Sequence, residues 1–350
     1  MTPPVDDRPL LRRLFEPKRL DELAPVPRLL TYGTLAFWSL GVLFPLYWVI
    51  VTSFKIEVQV DSGPYYLPFI DFRPTLGAWK FMVLENNFFG PYMNSVVVAL
   101  SSTILALLIG ALAAYALVRI RFRVRLAAVL CFLILLVGVI VAVAAFGVPW
   151  LLATVIAIAL FLLALATFVR RTRPALGNHD IEFWMISNRI MPPIVAVLPI
   201  YVMFQHLHLL DTRTALIATY TGVNLPIVVW LTRDFFAAIP IDLEESAEID
   251  GASKFSVFFT IALPLVRSGL AATFMLVLIL SWNEFLLALF LTNADAQTMP
   301  VLVAAQNTTR GPQWWDMSVL IVVMIAPVIV IAAFLQKHIA RGLLVGAVKG

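Results

Sequence analysis

Long uninterrupted apolar runs dominate this chain, and amphipathic stripes are few. Leu29–Phe54, Met93–Val118, Ser187–Leu207, Thr214–Thr232, Gly269–Phe290 and Met317–Gln336 each approach the roughly 20 apolar residues that a membrane-spanning helix needs. The longest run, Leu126–Val169, holds no charged residue. At about 1.5 Å per residue it is roughly twice the hydrocarbon thickness, so it predicts a hairpin of two spans. Gly147-Val148-Pro149 marks its turn. Only helices and closed barrels satisfy the backbone in lipid, and these runs are too long for barrel strands. The pattern predicts an all-α polytopic membrane protein with eight transmembrane helices.

Composition agrees. The chain is 61% hydrophobic and 13% charged, with a mean hydropathy of +0.93. A soluble domain carries nearly twice that share of charge. A soluble enzyme, a disordered chain and a nucleic-acid binder are excluded. The basic balance reads as loop orientation. Arg8, Arg12, Arg13, Lys18, Arg19 and Arg28 precede the first span; Arg119, Arg121, Arg123 and Arg125 precede the hairpin; Arg170, Arg171 and Arg173 follow it; Lys337, Arg341 and Lys349 end the chain. The alternate loops are poor in Lys and Arg, so both termini are expected in the cytoplasm. The two arginine clusters share a side only if an even number of spans lies between them, which independently supports two. Residues 1–28 lack the apolar core of a cleavable signal peptide. There, Leu10, Leu11, Leu14 and Phe15 alternate with Arg12 and Arg13, as either a surface-lying helix or a basic tail would. The lone Cys131, in an apolar run, excludes a disulfide framework.

One loop breaks the charge rule. Residues 239–264 carry Asp242, Glu244, Glu245, Glu248 and Asp250 on a side where the other loops are basic. Pro240 suits a first helical turn, and the acids suit a helix N-terminus. Leu243, Ala247, Ile249 and Ala252 form an apolar stripe beside them. Gly251 fits a left-handed helix end, and a second apolar stretch, Phe255–Ile261, runs up to Pro264. A handful of residues would connect two spans, so this longer loop reads as a docking knob for a cytoplasmic partner.

The loop resembles the EAA loop of ABC importer permeases (E-A-A-x3-G-x9-I-x-L-P): Glu245, Ser246, Ala247, then Gly251, then Ile261, Leu263 and Pro264, with Ser246 replacing the central alanine. The resemblance implies a coupling helix seated in a cleft of an ATP-hydrolysing subunit, with Asp250 and Ala252 in the same contact. Further segments resemble the maltose-type (MalG-like) carbohydrate permeases: Pro45–Lys55, Asn94-Ser95, Met191-Pro192-Pro193, Ser281–Phe285 and the tail Gly342–Gly350. The implied fold is a six-span permease core, with residues 126–169 as an extra hairpin outside the family pattern. The implied organisation is a basic segment 1–28, two core spans in 29–118, the hairpin, four core spans in 186–336, and a cytoplasmic tail 337–350. The resemblance also implies a tail contact with the ATPase subunits, through Gly342, Gly346 and Lys349. Taken as a free segment, that glycine-spaced tail is a poor helix.

No Walker-type phosphate loop and no metal-spaced cluster occur in the sequence. ATP and Mg²⁺ are therefore expected on partner subunits and no cofactor on this chain. The partners implied are a second, MalF-like permease, two ABC ATPases, a periplasmic solute-binding protein and membrane lipid, with no nucleic acid. Polar or aromatic residues on the core spans are the pathway candidates: Asn94, Tyr201, Tyr220, Asn224, Trp282, Asn283 and Glu284. Glu284 fits a cavity wall or an interhelical hydrogen bond, and the structural role is favoured because sugars are neutral and one carboxylate suffices for a helix–helix bond. An ion-coupled transporter is the alternative; it needs midplane carboxylates or broken helices in two repeats. The all-aliphatic hairpin suits a lipid-facing or partner-facing accessory pair.

Overall fold

The computed structural model describes residues 23–86, 88–172, 174–190, 192–308 and 311–347, together with 9, 14 and 15. Of the expected surface helix in the basic N-terminal segment, Leu14 and Phe15 are helical and exposed; Leu10, Leu11, Arg12 and Arg13 lie outside the described residues. The main helices are α1 (Pro25–Thr52), α2 (Phe89–Arg119), α3 (Leu126–Phe146), α4 (Trp150–Ala166), α5 (Asn178–Ile190), α6 (Pro193–His206), α7 (Arg213–Ala237), α8 (Ile241–Ile249), α9 (Arg267–Trp282), α10 (Leu286–Leu291), α11 (Met299–Ala305) and α12 (Trp314–Ala347).

Among the described residues six helices are long and apolar enough to cross a membrane: Pro25–Thr52, Phe89–Arg119, Leu126–Val143, Trp150–Arg171, Arg213–Ala237 and Trp314–Phe334. Two further pairs qualify only together, each with a sharp bend: Asn178–Asn188 with Pro193–His206, at 87°, and Lys254–Leu265 with Arg267–Trp282, at 79°. The 87° bend falls inside one expected span, the 79° bend lies at Val266 just ahead of another, and that second span is broken separately at Asn283. Ser187–Leu207 is interrupted ahead of α6, where Pro192 and Pro193 cannot continue the helix of α5. Gly269–Phe290 stops at Trp282 and resumes as α10, because Asn283 and Glu284 turn the chain.

The described chain forms two compact units. The first comprises Met1–Phe89 and Leu302–Pro327. Here α1 ends in a knot of aromatic rings. Trp79 Nε1 donates to Ser53 Oγ at 3.2 Å, and Tyr47 Oη donates to the Tyr66 carbonyl at 2.6 Å. Lys55 is 2% exposed, with Nζ 4.1 Å from the Trp48 ring centroid and 5.3 Å from that of Phe72. Burial pushes its pKa down, and the Asp71 carboxylate partly restores it. The lysine stem fills an aromatic box, and the ring faces attract its ammonium.

The second unit comprises Gly90–Val301 and Val328–Gly350. Its core wraps α7. Ala106, Val228 and Val277 form one buried cluster. Another joins Ala111, Ala114, Val229, Phe236, Phe258 and Ala262. Two glycines allow the close approach: a Cβ on Gly110 would lie 2.5 Å from Val228 Cγ1, and one on Gly269 would lie 2.4 Å from the Phe235 ring. The α3–α4 hairpin turns at Gly147, whose φ of 64° is the left-handed value a glycine adopts freely. At its base β1 (Val124–Arg125) pairs antiparallel with β2 (Ala175–Leu176). At the other end of the chain, α12 continues to Ala347, through Gly342 and Gly346. This departs from the expected poor helix: the preceding turns supply the nucleus, so each glycine adds only a propensity cost of about 1 kcal/mol. Lys349 lies outside the described residues.

Candidate functional site

The acidic loop folds as its sequence chemistry dictates. Pro240 takes an extended conformation and α8 starts after it, with Asp242 and Glu244 in the first turn. The helix ends at Gly251, with φ of 89° and open space around the Cα. The Gly251 N–H donates to the Glu248 carbonyl at 3.0 Å, and that of Ala252 to the Ala247 carbonyl at 3.0 Å, the paired bonds of a Schellman ending. The left-handed backbone, and not crowding, is what requires glycine here. Ser253 then caps the next turn, its Oγ accepting from Ser256 N at 3.2 Å. A π turn over Phe258–Ala262 carries the chain to Pro264 and the bend into α9.

Glu244 fixes this loop to the membrane helices. It is 4% exposed. Its Oε1 accepts from Arg119 Nη2 at 2.6 Å and Nε at 2.9 Å, and its Oε2 accepts from Tyr115 Oη at 2.7 Å. Arg119 Nη2 also donates to the carbonyls of Ile239, at 3.0 Å, and Phe236, at 3.3 Å. One guanidinium at the end of α2 thus gathers the end of α7 and the start of α8. Each charge is paired and hydrogen-bonded, as burial requires. The rings of Tyr115, Phe236 and Phe258 pack at 5.1–5.9 Å beside it. A cavity of about 370 Å³ opens here, lined by Tyr115, Arg119, Glu245, Glu248, Lys254 and Phe255 among others. The outer side presents oil and acid together: Ile249 is 86% and Phe255 68% exposed, and Leu243 and Phe259 are about half exposed. Glu245, Ser246, Asp250, Gly251 and Pro264 are exposed, whereas Ala247, Ala252, Ile261 and Leu263 are half-buried. The sequence reading placed Glu244 only as helix-start charge. The signal for its role was Tyr115 and Arg119, four residues apart on the end of α2.

The pathway candidates divide. Asn94 is buried; its Nδ2 donates to the carbonyls of Asp295, at 2.9 Å, and Gln297, at 2.8 Å, and its Oδ1 accepts from Arg213 Nε at 2.7 Å. Asn224 Nδ2 donates to Ser281 Oγ at 3.0 Å, joining α7 to α9. Tyr220 is buried, with its hydroxyl 3.4 Å from the Glu284 carbonyl, and Tyr201 packs against the same cluster. Trp282 is buried edge-on to Tyr92, at 6.2 Å. Asn283 is exposed and bonds back to the Ile279 carbonyl. Glu284 lines a second cavity of about 320 Å³, with Asn188, Pro192, Pro193, Gly222 and Pro226. Its Oε1 accepts from Leu287 N at 3.1 Å. Pro226 has no N–H to offer the Gly222 carbonyl, so that wall carries an acceptor without its helical donor.

A bundle of apolar helices that clamps an acidic, oil-studded loop on the end of a membrane helix has the architecture of a multi-pass permease. The family model for the binding-protein-dependent transport system inner membrane component matches residues 181–345. A probable ABC transporter permease of Sinorhizobium fredii is 32% identical over 307 residues, covering 88% of this chain and 90% of that protein. The trehalose/maltose transport system permease of Thermococcus litoralis is 30% identical, covering 88% and 92%. A chain of a bacterial ABC transporter that imports the acidic polysaccharide alginate shares the fold, with a TM-score of 0.57 at 19% identity, covering 89% of this chain and 96% of that one. The chain belongs to the family of ABC transporter permeases, the inner-membrane components of binding-protein-dependent transport systems. It is a multi-pass inner-membrane protein and a transport component, and the ion-coupled alternative is set aside.

Proposed function

We propose that this chain is one of two membrane-spanning subunits of an ATP-driven importer of a sugar or sugar-like solute. It would work with a second permease of similar type, two cytoplasmic ATPase subunits that bind ATP and Mg²⁺, and a periplasmic solute-binding protein. The sugar assignment rests on the trehalose/maltose relative. The α5–α6 pair would cross once and α9 with α10 once, while Lys254–Leu265 stays at the cytoplasmic face with the coupling loop; this gives eight spans, and the lysine and arginine distribution supports both termini inside.

One observation carries the coupling role: α8 presents Ile249, Leu243 and Glu245 outward while its buried Glu244 is clamped to Arg119 of α2. The exposed face, with Ser246, Asp250 and Gly251 and the half-buried Ala247 and Ala252 at its edge, is the surface that enters the ATPase cleft. Ile261, Leu263 and Pro264 support it from the segment that leads into α9. A push on α8 then moves α2 and α7 together, since all three share one guanidinium. The rigid bond is what converts ATPase closure into a switch of access. The Glu284 cavity, with its carboxylate, Asn188 and the Gly222 carbonyl, offers acceptors to sugar hydroxyls and is the local part of the pathway. The tail from Gly342 to Gly350 would add a second ATPase contact.

The test begins with co-purification, in which ATPase subunits should accompany the native chain. Gly251→Val should leave insertion intact and abolish uptake in reconstituted vesicles, because a β-branched residue does not hold φ of 89°. Glu244→Gln should reduce uptake more than ATPase association, because it weakens the clamp and leaves the docking face in place. Full uptake by both variants at normal expression would remove the coupling assignment.

A further inference from the structure

The α3–α4 hairpin has no part in the coupling loop or in the Glu284 cavity, yet it carries two features that belong together. The first is its base. From Ile120 to His179 the sequence contains Arg121, Arg123, Arg125, Arg170, Arg171 and Arg173 and no acidic residue. Arg125 is committed to structure: its Nη1 donates to the Val169 carbonyl at 2.6 Å and ties the two legs together. The β1–β2 pairing closes the same end, with Leu126 N donating to the Pro174 carbonyl at 3.0 Å. The pairs Arg121/Arg123 and Arg170/Arg171 are thereby held at one end of the hairpin. All four are exposed. The ion pairs of the described residues involve Arg119, His179, Arg233 and Lys254, and none of these four. Phe168 is exposed at this end, whereas Phe146 and Trp150 are exposed at the opposite turn, as the aromatic belts of a spanning pair would be.

The second feature is a slot of about 210 Å³ between the legs, walled by Phe132, Leu136, Val139, Ala157, Ile158 and Phe161 among others. Its one hydroxyl, Thr154 Oγ1, is used up on the Trp150 carbonyl at 2.8 Å. The slot therefore offers hydrocarbon contact alone. An oily slot between the legs of a hairpin whose base carries a collar of four exposed arginines outside the ion pairs of the described residues is complementary to a molecule with an anionic head and an apolar tail. A soluble acidic protein would answer the collar and leave the slot unmatched. Guanidinium groups bind phosphate oxygens in bidentate pairs, and basic pockets at the membrane face attract acidic headgroups.

We propose that the hairpin is a binding module for an anionic phospholipid, whose phosphate sits on the arginine collar and one of whose acyl chains lies in the α3–α4 slot. The experiment uses the full chain with its co-purifying subunits, stripped of lipid in neutral detergent and titrated with phosphatidylglycerol, cardiolipin or phosphatidylcholine, with bound lipid read by native mass spectrometry. The anionic lipids should be retained about tenfold or more over phosphatidylcholine, and the preference should shrink with salt. Replacing Arg121, Arg123, Arg170 and Arg171 by Gln together should abolish the preference. Those arginines also orient the chain, so a second variant is needed that keeps them. Ala157→Trp fills the slot, leaves the collar intact, and should lower anionic-lipid retention by about tenfold through loss of the acyl-chain contact. Equal retention of phosphatidylcholine by the native chain overturns the proposal. So does unchanged retention in Ala157→Trp, or a polypeptide found on the collar in place of lipid.

Discussion

Asp211 organises the polar loop at residues 293–296, which Asn94 also holds through the Asp295 carbonyl. Its two carboxylate oxygens accept from the backbone N–H groups of Asn293, Ala294, Asp295 and Ala296 at 2.9–3.0 Å. Burial alone would raise its pKa, but the four donors outweigh burial and hold it at about 2. A carboxyl held below its unfolded value of about 3.9 contributes stability that is complete above that pH and is lost as the pH falls toward 2. Amide protection at residues 293–296, normalised for intrinsic exchange, should therefore drop between about pH 4 and pH 2 in the native chain. In Asp211→Asn it should already be weak at pH 7. Protection that ignores both changes would remove Asp211 from the role. Residues of this kind divide by what the sequence makes legible. The demand for glycine at 251 is local, since it follows from a helix that must end. The partners of Asp211 and of Glu244 lie more than 80 and 120 positions away along the chain, and nothing in spacing or composition pairs them.

At the scale of elements, α7 is set by two contacts that only glycine permits. A Cβ at Gly110 would lie 2.5 Å from Val228 and one at Gly269 2.4 Å from Phe235, so α2 and α9 pack against α7 where no side chain fits. Gly110→Ala and Gly269→Ala should each destabilise the purified chain by about 1–3 kcal/mol, read as a lowered thermal midpoint, because the new methyl meets a packed side chain. Gly138→Ala on α3 meets nothing within 4 Å and should stay near the native midpoint. Equal midpoints for all three would mean that the helices simply slide apart. Spans were legible as elements because apolar length is a one-dimensional property. Their breaks were legible only in part. The polar Asn283-Glu284 marks the end of α9 in the sequence, but the 87° turn between α5 and α6 depends on what α5 packs against, chiefly α7.

At the scale of the molecule, the number of crossings and the side of each loop are a single question. The long apolar runs and the arginine clusters both require the hairpin to return to the side from which it started. A reporter fused at Gly147 should read as periplasmic, and one at Arg171 as cytoplasmic. The opposite pair of readings would invert the hairpin and with it the side of the coupling loop. The family was legible because the coupling loop concentrates its motif in one stretch of chain. The cavity around Glu284 was not, since Asn188, Gly222 and Glu284 come together only when three helices do.

The two-residue ladder at the base of the hairpin has a genetic consequence. Val124 pairs with Leu176 and Arg125 with Ala175, so the insert leaves and re-joins the core within about 5 Å. Two crossings also preserve parity: the chain after the insert emerges on the side where it would have emerged without it. Such a segment can be gained or lost in one event without rethreading any helix around it. Excising residues 125–174 should accordingly yield a shorter permease whose C-terminal reporter stays on its original side and which still recruits its ATPase. A reporter that changes side would show that the hairpin is woven into the insertion order of the spans.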